Sequence, residues 1–88
     1  MTTEASHGRT YEFGMPDRLR VSRERAGFTV RQFEQVTGIS RGSIGNYEAG
    51  RTTPRRPQLA QWALATGFDF EWLASGWAHW ESNPEPAD

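Results

Sequence analysis

The sequence contains no cysteine and no lysine among its 88 residues, and it has no long apolar run. Without cysteine, neither a disulfide framework nor a thiolate zinc site can stabilise so short a chain, so packed helices or a second subunit must do so. No run approaches the ~20 apolar residues of a membrane span. Residues 1–15 carry no signal-peptide core. The expected compartment is therefore the cytoplasm, without a membrane partner.

Groups that carry enzymatic chemistry are also scarce. His7 and His79 are the only histidines, and neither has metal-ligand spacing or a nearby pair of carboxylates. The chain has no glycine-rich phosphate loop, and the absence of lysine removes a Schiff-base residue and any serine–lysine pair. We therefore expect no catalytic residue, no metal, no cofactor and no small-molecule ligand.

The net charge of −1 hides a strong segregation of charge along the chain. Residues 16–68 contain nine arginines against four acidic residues, whereas residues 69–88 contain five acidic residues and no base. A basic body with an acidic tail is typical of a protein that binds a polyanion. The exclusive use of arginine has two interpretations: bidentate recognition of phosphate and guanine, or a GC-rich genome that favours arginine codons.

Apolar spacing and capping signals predict five short helices and no strand, which gives an all-α fold. Thr29, Ser40 and Asp69 are predicted N-caps, and glycines end the helices. The domain is expected to span residues 14–76, after a flexible arm at 1–13 and before a tail at 77–88 whose Pro- and acid-rich end is disordered. The predicted helices span residues 16–26, 30–37, 41–49, 58–66 and 70–75. The residues expected to face inward include Leu19, Phe33, Val36 or Thr37, Ile39, Ile44, Tyr47, Leu59, Trp62, Trp72 and Leu73.

The stretch from Thr29 to Gly50 predicts the function. Two short helices meet at Gly38, which supplies the positive φ of a tight turn, and the second helix begins three residues after the first one ends. This is the geometry of a DNA-binding helix-turn-helix, whose second helix lies in the major groove. The outward face of that second helix is polar or small, so its backbone can approach base edges.

At this point the sequence resembles a known family, the helix-turn-helix domains of phage repressors and Cro proteins. The segment GISRGSIGNYEAGR resembles the family's glycine–apolar–serine turn and its terminal glutamate–x–glycine, and LAQWALATGFDFEWLASG resembles its fourth and fifth helices. The resemblance covers roughly residues 16–76 and implies a compact five-helix lambda repressor-like domain. It also implies a pair between Arg23 and Glu48 that ties helix 1 to the recognition helix. The alternative is that both are ordinary surface charges.

Two positions depart from the family's pattern. Val30 occupies a position where the family often has a glutamine that contacts a phosphate. Glu34 occupies a position that is usually alanine, because the two helices cross closely there. The longer side chain of Glu34 must either tilt towards solvent or widen the crossing.

The first turns of the recognition helix supply the predicted base contacts. Arg41 is its first residue and can donate two hydrogen bonds to guanine O6 and N7; the alternatives are a phosphate contact or a solvated charge. Asn46 lies on the same face and can bind adenine or a phosphate. Gly42 and Gly45 allow a close approach to the groove, unless they merely weaken the helix. The predicted base-contact set is Arg41, Asn46, Ser43 and Gly42.

A second group of residues is expected to contact the DNA backbone. The resemblance implies that the loop after the recognition helix follows this backbone, and that an arginine at the position of Arg56 can enter the minor groove. Phosphate contacts position a protein and make its affinity depend on salt. The alternative is a plain solvated loop. The predicted backbone contacts are Ser40, Arg31, Gln32, Arg51, Thr52, Thr53, Arg55 and Arg56.

The expected partners are double-stranded DNA and a second copy of the chain. Small members of the family commonly dimerise through their C-terminal segment, and Trp77 and Trp80 suit such an interface unless the tail folds back over its own domain. The resemblance therefore implies a transcriptional regulator, a Cro-like or minimal immunity repressor of a phage, that binds a pseudo-palindromic operator. The alternatives are a DNA-binding antitoxin, or a protein-interaction adaptor that kept the fold without DNA binding.

Overall fold

The computed structural model describes residues 13–77, and within this range the chain forms five α-helices and no strand. The all-helical prediction is therefore confirmed. The predicted arm, apart from Phe13, and the tail beyond Trp77, including Trp80, lie outside the described residues. Within residues 13–77, no helix has the length and apolar character needed to cross a membrane. The helices are α1 Met15–Arg25, α2 Val30–Thr37, α3 Arg41–Ala49, α4 Arg56–Thr66 and α5 Phe70–Ser75.

The helix ends follow the predicted capping chemistry. The side-chain oxygens of Thr29, Ser40 and Asp69 each accept a hydrogen bond from the backbone N–H three residues later, at 3.1, 3.1 and 2.9 Å. Gly38 ends α2 with a backbone φ of 79°, a value that residues other than glycine rarely adopt. Because each cap is local, the turn between α2 and α3 is fixed by the three residues that form it.

Helix α4 begins at Arg56, two residues before its predicted start at Gln58. The two prolines of this region favoured a loop in the sequence interpretation. Pro57 instead lies in the first turn of α4, where a missing backbone N–H costs nothing because that N–H would have no partner within the helix. Arg56 is thus the first helical residue, and Arg55 is its N-cap.

Trp62 of α4 lies at the centre of the core and is completely buried. Its ring meets Phe33 of α2 edge-on at a centroid distance of 4.6 Å. Its indole N–H donates to the hydroxyl of Ser22 (3.0 Å) and to the backbone carbonyl of Leu19 (3.2 Å), both on α1. The fold therefore closes around one aromatic residue whose polar group is satisfied. The buried apolar residues are Leu19, Phe33, Ile39, Ile44, Leu59, Trp62 and Leu73.

The structure settles whether Val36 or Thr37 faces inward, and it modifies the expected burial of Trp72. Thr37 is buried and Val36 is exposed. The Thr37 hydroxyl donates to the Phe33 carbonyl (2.7 Å) and accepts from the Ile39 N–H (3.1 Å), so burying it leaves no unpaired polar group. Trp72, expected in the core, is only half-buried at its edge, where its ring lies 5.4 Å from that of Phe68.

Candidate nucleic-acid interface

One side of α3 is fixed to the rest of the domain. Ile44 is completely buried, and Glu48 at the end of the helix accepts two hydrogen bonds from Arg23 of α1, at 2.7 Å from Nε and 2.9 Å from Nη2. Arg23 also donates to the Phe28 carbonyl (2.8 Å). The structure thus brings together the pair that the resemblance implied. The bidentate geometry fixes the rotation of α3 about its own axis.

The Arg23–Glu48 pair also perturbs the arginine. Its hydrogen bonds to Glu48 raise the pKa of Arg23 above the ordinary value, and burial opposes this rise only in part. A raised pKa means that the stabilisation is fully present below the ordinary arginine pKa and is lost only as the pH rises through the higher one. Arg23 therefore keeps its charge, and its part of the pair, at neutral pH and well above it.

The opposite side of α3 is open: Gly42 is exposed there, and Gly45 and Asn46 are half-buried. Arg41, the first residue of the helix, is exposed at the edge of this open side. A Cβ atom added at Gly42 or Gly45 would have no described atom within 4 Å, so packing inside the domain requires glycine at neither position. Each glycine costs a helix about 1 kcal/mol relative to alanine. The helix thus carries two destabilising residues on its open side without an internal contact that explains them.

Arg41 contacts a residue that the sequence interpretation did not connect with it. Its Nε lies 3.0 Å from Oε1 of Glu34, and the two side chains are 63% and 37% exposed. Glu34 therefore tilts towards solvent and meets the first residue of α3. Opposite charges on either side of a three-residue turn were the available signal, but the sequence does not show which way either side chain points.

Asn46 is likewise held by a neighbour. Its side-chain oxygen accepts a hydrogen bond from Nε of Arg51 at 2.9 Å, and its backbone carbonyl accepts from the Arg51 N–H at 2.9 Å. The amide nitrogen of Asn46 and the terminal nitrogens of Arg51 are the donors that this bond does not use. The structure therefore links a predicted base contact with a predicted backbone contact.

The other predicted phosphate contacts differ in how much of each side chain the fold already uses. The side-chain oxygen of Gln32 accepts from the Thr29 N–H at 2.9 Å, so its amide nitrogen is the group left to donate. The Ser40 hydroxyl caps α3 and donates to the Ser43 hydroxyl (3.1 Å). Arg56 lies over the ring of Phe70, 4.8 Å from its centroid, which ties α4 to α5. The remaining predicted contacts, all exposed, are Arg31, Arg51, Thr52, Thr53 and Arg55.

Three of the four arginines of α1, namely Arg18, Arg20 and Arg23, make contacts within the fold. Arg18 is buried and donates to the carbonyls of Leu73 (3.1 Å) and Phe13 (3.4 Å), which joins the two ends of the described chain. Burial lowers the pKa of Arg18, and the neighbouring Asp17 carboxylate opposes this. Arg20 pairs with Asp17 and with Glu24. Part of the arginine excess between residues 16 and 68 is therefore used for internal structure, and Arg18 had no such role in the sequence interpretation.

Comparison with known families identifies this arrangement. A family model described as a helix-turn-helix domain matches residues 16–75. The chain belongs to the helix-turn-helix domain family. Helices α2 and α3 are the two helices of the motif, and α3 is in the position of its recognition helix. A comparison with curated proteins gives no match.

Helix-turn-helix domains bind DNA, and the surroundings of the motif fit that chemistry. The amide of Gln61 on α4 donates to the Thr37 carbonyl at 3.1 Å, which braces the end of α2 against α4. Within residues 13–77, no three histidine or acidic side chains come together as a metal site. The polar groups that the motif presents to solvent are amide, hydroxyl and guanidinium groups, together with the partly exposed Glu34 carboxylate, on a braced pair of helices.

Proposed function

We propose that this protein is a sequence-specific transcriptional regulator of the phage repressor and Cro type, which binds a pseudo-palindromic operator as a homodimer. The observation that carries the proposal is the division of α3 into two sides. Ile44 and Glu48 attach one side to the domain, Gly42, Gly45 and Asn46 lie on the other, and Arg41 is exposed at the edge between the two, beside Glu34 of α2. A helix held in this way can enter the major groove without rearranging the fold.

The proposed contacts follow from the polar groups on the open surface. Arg41 donates to O6 and N7 of a guanine. Asn46 donates from its amide nitrogen to N7 of an adenine and accepts from N6 through the second lone pair of the oxygen that also binds Arg51. Gly42 allows the backbone to approach the base edges, and Ser43 contacts the same groove. Exposed arginines at the start of α2 and after α3 bind phosphates, so affinity falls as salt rises. Bound at a site that overlaps a promoter, the protein excludes polymerase.

Dimerisation follows from how such operators are read. A two-fold symmetric pair presents two recognition helices about 34 Å apart, one turn of DNA. Arg18 joins the two ends of the described chain, because it donates to the Phe13 carbonyl and to the last turn of α5. Phe13 and Trp77 lie at these two ends and are 50% and 48% exposed, which supports an interface at this corner of the domain. Exposed aromatic residues are enriched at interfaces.

Sedimentation measurements test the dimer. We expect the protein to sediment as a dimer at micromolar concentration and Trp77→Ser to shift it towards monomer. Val36→Thr is the matched variant, because Val36 is an exposed apolar residue of α2, away from that corner. A monomeric wild-type protein would contradict the dimer and favour a tail that folds over its own domain.

Selection from random duplexes tests DNA recognition. We expect the selected sequences to share an inverted repeat, and affinity for that repeat to fall steeply with salt. Arg41→Ala and Asn46→Ala should each remove the preference at one position of every half-site. A protein that binds no duplex even at low salt would contradict the proposal and indicate an adaptor.

A further inference from the structure

Glu34 is the only acidic residue of α2, and it lies against the first residue of the recognition helix. Its Oε1 is 3.0 Å from Nε of Arg41, so the contact crosses from one helix of the motif to the other. We infer that Glu34 is a positioning residue that sets base specificity, because it holds the Arg41 guanidinium with its terminal nitrogens towards the groove. This inference rests on the proposed function.

The donors of the guanidinium explain why the contact suits guanine. Arginine has one N–H on Nε and four on its two terminal nitrogens. The contact with Glu34 is an ion pair whose shortest distance is at Nε, and no terminal nitrogen of Arg41 donates a hydrogen bond to that carboxylate. Two parallel donors remain for guanine O6 and N7. A free arginine samples many rotamers, and fixing one costs conformational entropy. Glu34 restricts those rotamers before DNA arrives.

The charge of Glu34 increases the discrimination between guanine and other bases at the position that Arg41 contacts. A carboxylate at a DNA interface repels phosphates and so weakens binding to every sequence. Its attraction to Arg41 is screened while both side chains are exposed, and it strengthens once DNA excludes water. When a guanine accepts the Arg41 donors, the pair stays intact; when another base forces Arg41 away, the carboxylate is left desolvated and unpaired. Specificity is a difference of affinities, and Glu34 enlarges that difference.

The variant Glu34→Gln tests the inference, since it keeps the shape of the side chain and removes its charge. Dissociation constants would be measured by fluorescence anisotropy for the selected operator and for duplexes in which the base pair read by Arg41 is replaced. We expect the wild-type protein to discriminate by about tenfold or more. In Glu34→Gln this ratio should fall several-fold while binding to an unrelated duplex tightens. Glu71→Gln makes the same charge change on α5 and should leave the ratio unchanged.

A double-variant cycle separates positioning from a general charge effect. In an Arg41→Ala background, Glu34→Gln should no longer change the ratio, because the residue through which it acts is gone. A wild-type ratio in Glu34→Gln, or an equal change with and without Arg41, would overturn the inference while leaving the proposed function intact. A wild-type protein without any base preference would overturn both, and this is visible before a variant is made.

Discussion

Helices α1 and α3 both contain arginine, but they use it in opposite ways. On α1, Arg18 and Arg23 are buried and bonded to backbone carbonyls or to Glu48. On α3, Arg41 is exposed and contacts only a half-exposed carboxylate among the described ion pairs. The difference teaches that the arginine excess of a sequence overstates the charge offered to DNA. Only the arginines that the fold does not need for its own contacts are free to bind phosphates and bases.

The largest expected effect is the loss of stability when a buried arginine of α1 loses its partner. Glu48→Ala leaves Arg23 as a buried charge without its carboxylate, which we expect to cost about 3–5 kcal/mol of unfolding free energy. Urea unfolding measures this loss. Glu24→Ala removes an exposed carboxylate 3.9 Å from the same arginine and should cost less than about 1 kcal/mol. Equal losses in both variants would contradict a structural role specific to the Arg23–Glu48 pair.

The variant Arg41→Ala tests whether the exposed arginine of α3 serves DNA binding rather than stability. We expect operator affinity to fall by about 1–3 kcal/mol, because a bidentate contact to guanine is lost. The melting temperature should stay the same, since the Arg41 side chain is exposed. Anisotropy and thermal unfolding measure the two quantities on one sample. A drop in melting temperature comparable to that of Glu48→Ala would remove the distinction between the two helices.

Gly42→Ala separates stability from binding. The new methyl group meets no described atom within 4 Å, so the free energy of unfolding should rise by up to about 1 kcal/mol. Operator affinity should fall, because the methyl group lies between the helix and the base edges. Gly38→Ala is the informative counterpart: with a φ of 79° at that position, it should destabilise the fold. If Gly42→Ala left affinity unchanged, the glycine would simply weaken the helix.

The smallest expected effect concerns the phosphate contacts. Arg31→Ala should weaken binding to all duplexes by a similar factor and lower the salt slope by about 1, because Arg31 is exposed and holds no proposed base contact. Arg20 carries the same charge on α1 and pairs with Asp17 and Glu24, so Arg20→Ala should leave the slope unchanged. Titrations at several salt concentrations provide both slopes. Equal slopes for the two variants would contradict the assignment of Arg31 to the DNA side.

Local chemistry made much of the fold predictable. The caps at Thr29, Ser40 and Asp69 and the left-handed turn at Gly38 depend on residues within one helical turn, so the sequence contains all the information needed. The start of α4 was misplaced because Pro57 is compatible with both a loop and a first helical turn. Such an ambiguity is resolved only by what the helix packs against.

The candidate site was predictable only as a set of positions. The outward face of α3 follows from the burial of Ile44, which its apolar spacing predicts. The contacts of Arg41 with Glu34 and of Arg56 with Phe70 join residues of different helices. These contacts depend on side-chain rotamers and on the relative placement of the helices, and the spacing of residues along one helix predicts neither. The same holds for Arg18, since two of its three carbonyl partners, Leu73 and Ala74, lie 55 and 56 residues further along the chain.

The shared hydrogen bond of the Trp62 indole has a spectroscopic consequence. Its N–H is enclosed between the Ser22 hydroxyl and the Leu19 carbonyl, so deuterium can replace that proton only when α4 separates from α1. Such a separation opens the whole core rather than a local segment. The indole resonance of Trp62 should therefore exchange more slowly than those of Trp72 and Trp77 in a proton spectrum, and its exchange rate reports global opening of the domain with or without bound DNA.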